Sequence, residues 1–209
     1  MHFMLRMTLS KIMYYGIYRG IRDGAWKCLR DFGVTSLPVK ILPIAKACNI
    51  HVIKNSIVHD LEATEIAKAY FTGTDWHFIY DDTRPQDERR YALAHEFGHF
   101  FLGHPELYQK YKPIPTEDGK PSKSEMQADD FAIRLLCPAS VIWGLNLRTA
   151  EEIAEVCNVP LEIAKKRCKR MALLYKRDAF LTSPLEREVY ENFKPFIEEK
   201  KKELLLRQQ

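Results

Sequence analysis

The sequence predicts an α+β fold, mainly helical, with a small mixed sheet beside a helix that carries His95, Glu96 and His99, and with further helices toward the C-terminus. Three patterns predict it. Apolar residues recur at helical spacing over about 86–102 and 124–136. Two short runs, His51-Val52-Ile53 and Trp76-His77-Phe78-Ile79-Tyr80, have the composition of strands, the second more clearly. From Thr149 onward the chain reads as capped helices separated by brief turns.

Taken in order, residues 10–31 read as an amphipathic helix packed on the body, after a loose terminus over 1–8. Leu37-Pro38-Val39 opens a helix over about 39–48, and the strand at 51–53 follows. Residues 60–70 give no clean period and read as a helix or an irregular excursion. Phe71-Thr72-Gly73-Thr74-Asp75 contains a turn signal before the strand at 76–80, which Asp81-Asp82 and Pro85 end. The helix over 86–102 stops at Gly103 and Pro105. Residues 104–124, rich in Pro, Gly, Lys and Thr, form an exposed loop; its position makes it a candidate lid, with a tolerated surface insertion the preferred reading. Ser124 caps the next helix, whose stripe is Ala128, Phe131, Ala132, Leu135 and Leu136. After Ala179 comes a charged helix from about 186 to 206, which Phe193, Phe196, Ile197, Leu204 and Leu205 dock on the body or on another chain.

Composition excludes several classes. Of 209 residues 46% are hydrophobic and 29% charged, enough for a real core, and a net charge of +4 is too mild to argue nucleic-acid binding by itself. The five cysteines are odd in number and widely spaced, so reduced thiols are expected rather than a disulfide framework or a cysteine metal site. No stretch approaches the ~20 uninterrupted apolar residues of a membrane span. Arg6, Lys11 and Arg19 break up the apolar N-terminus, and no small-residue cleavage site follows. The expected location is the cytoplasm, with no membrane partner.

The run His95-Glu96-Phe97-Gly98-His99 carries the chemistry. Two imidazoles four apart on a helix lie one above the other and suit two ligands of one Zn²⁺ ion. Glu96 between them can reach a water on the open side of the metal and take its proton. A catalytic site needs a third protein ligand, and Glu125 is assigned to it. Asp129, four residues on and on the same face, can accept the free ring N–H of a ligand histidine and fix its tautomer. His77 and Tyr80 are candidates for oxyanion stabilisation or substrate binding, with Tyr91, Tyr108 and His104 as rivals and core packing the simpler reading of each aromatic. His104 is rejected as a ligand, because five residues beyond His99 it lies about 140° off the ligand stripe if the helix continues. Histidine and carboxylate donors suit manganese or iron as well as zinc.

Residues 89–104, from Arg89-Arg90-Tyr91 through His95-Glu96-Phe97-Gly98-His99 to His104, resemble the ImmA/IrrE family of metallo-endopeptidases. So does the pattern Glu125-x-x-Ala128-Asp129-x-Phe131-Ala132-x-x-Leu135-Leu136-x-Pro138. Weaker similarity extends to Leu37–Val52 and to Ile153–Pro160, so that about 25–175 is covered. The resemblance implies a zincin-like core and a gluzincin-type peptide-bond hydrolase, with His95, His99 and Glu125 as metal ligands and Glu96 as base. It implies a protein substrate, a helix-turn-helix transcriptional repressor of a phage, mobile element or stress response. It also suggests that an extended substrate adds to a sheet edge at the 76–80 strand or its neighbour.

Residues 149–175 hold the competing signal. Thr149 caps one helix, Asn158-Val159-Pro160 makes a turn, and a second helix carries Lys165, Lys166, Arg167, Lys169 and Arg170, a helix-turn-helix pattern with charge to meet phosphates. The alternative function is therefore a DNA-binding or repressor-binding regulatory protein that does not cut. Packing of the pair on the core through Ile153, Val156, Ile163 and Cys168 is preferred, and direct DNA binding is not favoured. The expected organisation is an N-terminal helical extension over 1–31, a metallopeptidase core over 32–148, the helix pair over 149–178 and the charged helix over 179–209. Nothing in the sequence specifies an oligomeric state.

Overall fold

Three short strands form a sheet across which the histidine-bearing helix lies. The computed structural model describes residues 19–104 and 121–206. The loose terminus, the first part of the helix expected over 10–31, Tyr108 and most of the expected loop or lid fall outside these residues. The described part of α1 covers 19–31 and buries Ile21, Ala25, Trp26 and Leu29. Then follow α2 (Ile41–Ala47), β1 (Ile50–Lys54), a single helical turn α3 (Asn55–Val58), β2 (Ala67–Phe71) and β3 (Trp76–Tyr80).

The strand order is β1-β3-β2, with β1 parallel and β2 antiparallel to β3. The α+β class and the small mixed sheet agree with the expectation. One element does not: β2 lies in the stretch where the sequence suggested a helix or an irregular excursion. Its residues, Ala-Lys-Ala-Tyr-Phe, include no β-branched side chain. Strand formation here comes from pairing with β3, in which Ala67, Ala69 and Phe71 face Tyr80, Phe78 and Trp76. Small residues at 67 and 69 stand on the sheet face that meets the helix above it.

That helix is α4 (Gln86–Leu102), and α5 (Lys123–Leu136) packs closely on it. Phe78 of β3 meets Phe97 at 5.0 Å between ring centroids, Trp76 meets Phe100 at 5.3 Å, and Phe101 stacks on Phe131 at 5.7 Å. Phe78, Phe97 and Phe131 are fully buried, and burial of each such side chain stabilises the fold by about 1.5–3 kcal/mol. Ser122, not Ser124, caps α5: its hydroxyl accepts from the Glu125 N–H. The cap serves the third helical position, so the helix begins two residues earlier than a cap at Ser124 would place it.

Arg90 ties α4 to two other segments. Its guanidinium donates to the carbonyls of Val39 (2.8 Å), Cys157 (2.9 Å) and Asn158. These oxygens end α7 (Ala150–Cys157) and precede α2, so one side chain fastens the N-terminal and C-terminal halves to the central helix.

After α6 (Ala139–Gly144), α7 and α8 (Leu161–Lys176) make the expected helix pair, with Thr149 and Glu152 in a reciprocal capping box and Asn158 in the left-handed conformation at the turn. Ile153, Val156 and Ile163 are buried in the common core. Arg167, grouped in the sequence with the lysines that could face phosphates, is buried as well. It falls on the side of α8 shared with Ile163, Ala164 and Met171. The final helix, α9 (Pro184–Leu206), docks Val189, Phe193 and Ile197 on the body, while Leu205 and Leu206 are exposed. Among the described residues no helix is long and apolar enough to cross a membrane.

Candidate metal centre

Helical spacing on α4 stacks His95 and His99, and their Nε2 atoms lie 3.0 Å apart. One carboxylate oxygen of Glu125 stands 3.0 Å from His95 Nε2, and the other 3.4 Å from His99 Nε2. Glu125 comes from the first turn of α5, and it reaches the histidines because α4 and α5 approach unusually closely. The point of approach is Gly98: a Cβ built there would stand 2.7 Å from Ala128 Cα and 2.8 Å from Ala128 O. Glycine is the residue that permits this contact.

The donor set fits a divalent ion. Two imidazole nitrogens and a carboxylate aim at one point, with donor atoms within 4.8 Å of one another. Donors sharing a tetrahedral ion at about 2.0–2.1 Å stand roughly 3.4 Å apart, close to these spacings. The remaining ring nitrogens are engaged elsewhere, so the Nε2 atoms are the ones turned toward the Glu125 carboxylate. His95 Nδ1 is 3.0 Å from Asp129 Oδ1, an oxygen that also accepts a 2.7 Å hydrogen bond from the Tyr91 hydroxyl. His99 Nδ1 is 3.0 Å from His104 Nδ1. Lys166 of α8 stands 3.8 Å from the other oxygen of Asp129.

The clustered carboxylates and His95 shift one another toward their charged forms. Hydrogen bonds from His95 and His99 hold the Glu125 carboxyl well below the usual range, against the opposing pull of its partial burial. Burial draws the His95 imidazolium pKa down, but its hydrogen bonds to Asp129 and Glu125 and the nearby Glu96 charge prevail and push it up to about 10. For Asp129, burial opposes ionisation, while His95 and Tyr91 outweigh it and lower the pKa. The Tyr91 hydroxyl is raised by burial and by Asp129, so it stays a donor.

Glu96 faces the other way, toward the sheet. Its carboxylate accepts a hydrogen bond from the Ala69 N–H, and burial raises its pKa although His95 and His99 pull it down. The Ala69 amide is free to do this because of the pairing pattern of β2. Asp81 N–H donates to Ile66 O and Thr72 N–H to Asp75 O, so even-numbered residues of this strand bond to β3. Ala67, Ala69 and Phe71 therefore turn their N–H and C=O groups to the outer edge, beside Glu96.

The structure gathers His95, Glu96, His99, Glu125 and Asp129 at one place. It does not bring His77 or Tyr80 there. His77 stands on the sheet face opposite Phe78, between His51 and Tyr70 with ring centroids 5.0 and 5.3 Å away, and Phe78 is the residue that packs on α4. Tyr80 lines a separate cavity of about 410 Å³ with Val39, Ile41, Arg89 and Leu93. The sequence left the peptide-receiving edge to the 76–80 strand or its neighbour, and the two differ in their pairing. β3 is the middle strand, with both edges paired, whereas β2 has an outer edge at Glu96. Ala69, and Gln127 whose Oε1 lies 3.0 Å from His104 Nε2, carried no signal in the sequence, since neither residue type announces a site. His104 did carry one, because Gly103 and Pro105 already ended the helix on which its rejection depended.

Among known proteins, the family model described as the IrrE N-terminal-like domain, peptidase family M78, matches residues 45–169. No curated protein matches the chain. The matched span contains both metal-bearing helices, all three strands and the α7–α8 pair apart from the end of α8.

Proposed function

Because the chain belongs to the ImmA/IrrE family of metallopeptidases (peptidase M78), we propose that it is a zinc-dependent, gluzincin-type endopeptidase of the cytoplasm. Its proposed substrate is a helix-turn-helix transcriptional repressor. The observation that carries the enzymatic reading is the convergence of His95, His99 and Glu125 on one point, with Glu96 between that point and the outer edge of β2.

His95 Nε2, His99 Nε2 and a Glu125 oxygen hold the metal. Zinc bound there supplies Lewis acidity to a water and to the scissile carbonyl. Asp129 fixes the His95 tautomer by accepting its Nδ1–H, and Tyr91 fixes Asp129 in turn. An extended segment of substrate lies along β2, held by the outward N–H and C=O of Ala67 and the outward C=O of Ala69. Glu96 accepts the proton of the attacking water as its oxygen adds to the peptide carbonyl. Glu96 then delivers that proton to the departing amine as the C–N bond breaks. The Ala69 amide holds the Glu96 carboxylate in place beside the strand on which the peptide rests.

Ala69→Pro separates the edge from the metal. Proline is tolerated on an edge strand where its nitrogen faces outward, so the sheet should stay paired. The variant loses the N–H that holds Glu96 and disturbs the peptide-binding edge. Zinc stoichiometry should match the wild type while the rate of peptide hydrolysis falls by at least about tenfold, the equivalent of one charge-assisted hydrogen bond. Equal rates would remove β2 from the account.

Substrate identity is tested by mixing the purified, zinc-loaded chain with a purified repressor encoded beside it. Two fragments from a single cut are expected, with none from the Glu96→Gln variant. A repressor that stays intact while the same preparation cleaves an unfolded protein would refute the substrate and leave the enzyme. Salt-sensitive binding of duplex DNA by the intact chain, with no cleavage of any protein, would favour the regulatory reading instead.

A further inference from the structure

We propose that His104, supported by Gln127, is a positioning residue that holds His99 in the one tautomer able to bind the metal; this rests on the metallopeptidase reading above. The two ligand histidines have unlike supports. His95 leans on a carboxylate, Asp129. His99 leans on a neutral side chain: His104 Nδ1 is 3.0 Å from His99 Nδ1, and His104 Nε2 is 3.0 Å from Gln127 Oε1. His99 and His104 are both buried, at 5% and 6% exposure, so these contacts are made away from water.

The direction of the two hydrogen bonds follows from the ligand role. A neutral imidazole carries one ring proton. If His99 Nε2 offers its lone pair to a cation, Nδ1 must carry the proton and donate it. His104 Nδ1 must then accept, which leaves the proton of His104 on Nε2. That N–H has an acceptor waiting in Gln127 Oε1. Each proton position forces the next, and the amide oxygen stands where the sequence of donors requires it. Reversing the chain would place a proton on His99 Nε2 and turn an N–H toward the metal position.

The backbone builds this arrangement. At the end of α4, Gly103 adopts the left-handed conformation with φ of 66°. Gly103 N–H bonds to Phe100 O at 3.2 Å and His104 N–H to His99 O at 3.0 Å, the two hydrogen bonds of a Schellman motif. The chain is thus folded back over the last turn of the helix, so His104 lies against His99 instead of pointing about 140° away as a continued helix would require. Gln127 lies two residues beyond Glu125 on α5, so the support links the end of α4 to the helix that brings the third ligand.

The test is zinc affinity of the full chain, measured by competition with a chelator after metal removal, together with the visible spectrum of the cobalt-loaded protein. His104→Leu keeps the bulk and removes the acceptor. It should bind zinc about 10–100-fold more weakly, the loss typical for the outer partner of a ligand histidine, and should alter the cobalt d–d bands. His104→Asn restores an acceptor near the Nδ1 position and should recover most of the affinity, which a residue important only for packing would not do. Gln127→Leu should give a smaller loss in the same direction and serves if His104→Leu does not fold. A folded His104→Leu or Gln127→Leu with wild-type zinc affinity would overturn the inference, as would His104→Asn binding no better than His104→Leu. A wild-type chain that held no metal at all would instead bring down the metallopeptidase reading itself.

Discussion

Glu96→Gln should leave the chain folded and fully able to hold its metal while hydrolysis falls by about 10²–10⁴-fold, the range contributed by a general acid–base group. Glutamine has nearly the shape of glutamate, and its amide oxygen can still accept from the Ala69 N–H. The substitution therefore spares the hydrogen bond from Ala69 that fixes this side chain. It removes the basic oxygen that takes the proton of the attacking water. The ligand group of His95, His99 and Glu125 does not include residue 96, so metal content should match the wild type. Measuring metal by atomic spectroscopy and hydrolysis on the same preparations separates the two properties. A variant that cleaves at the wild-type rate would show that some other group handles the proton.

Gly98→Ala should be strongly destabilising, against the ordinary expectation for this exchange. In the middle of an exposed helix it would gain about 1 kcal/mol, because alanine has the better helix propensity. Here the added methyl would stand 2.7 Å from the Cα and 2.8 Å from the carbonyl oxygen of Ala128. Both are backbone atoms of a helix whose residue 128 is fully buried, so they cannot swing aside as a flexible side chain would. Overpacking of this kind costs about 1–3 kcal/mol and sometimes more, enough to offset the propensity gain and exceed it as α5 is forced away. Relief requires α5 to move, and α5 carries Glu125 three residues before Ala128 and Asp129 one residue after it. Thermal unfolding should shift down by several degrees, and zinc affinity should fall by at least about tenfold, since the third ligand and the partner of His95 are displaced together. A Gly98→Ala chain that melted higher and bound zinc normally would show that the helices do not touch at this point.

The pairs of residues at the candidate metal site were legible in the sequence because their geometry is local. His95 and His99 are set by one turn of helix, and Glu125 and Asp129 by another, so periodicity alone places each pair. A glycine at position 98 can admit a close neighbour, but nothing local names Ala128 as that neighbour. The clearest strand, Trp76–Tyr80, and the capped pair at Thr149 also carried their own signals. What was hidden depended on partners distant in the chain. β2 is a strand because β3 pairs with it, and its alanines suit the space beneath α4, so no propensity revealed the edge beside Glu96. His77 and Tyr80 looked suitable as polar aromatics near the site, yet alternation along β3 turns the first to the opposite face, and the second opens into another cavity. The contact of His104 with His99 was hidden because a continued helix would turn it away, and Gly103 ends that helix. Arg167, one of a basic run, is buried because its place on α8 is set by the apolar residues one turn away.

The most direct test of the central claim is an anomalous-scattering map at the zinc edge from crystals of the zinc-loaded chain. The account predicts one strong peak about 2.0–2.2 Å from Nε2 of His95, Nε2 of His99 and a carboxylate oxygen of Glu125, with Glu96 outside the coordination shell. A peak elsewhere in the molecule, or one at the histidines with Glu125 turned away, would contradict it.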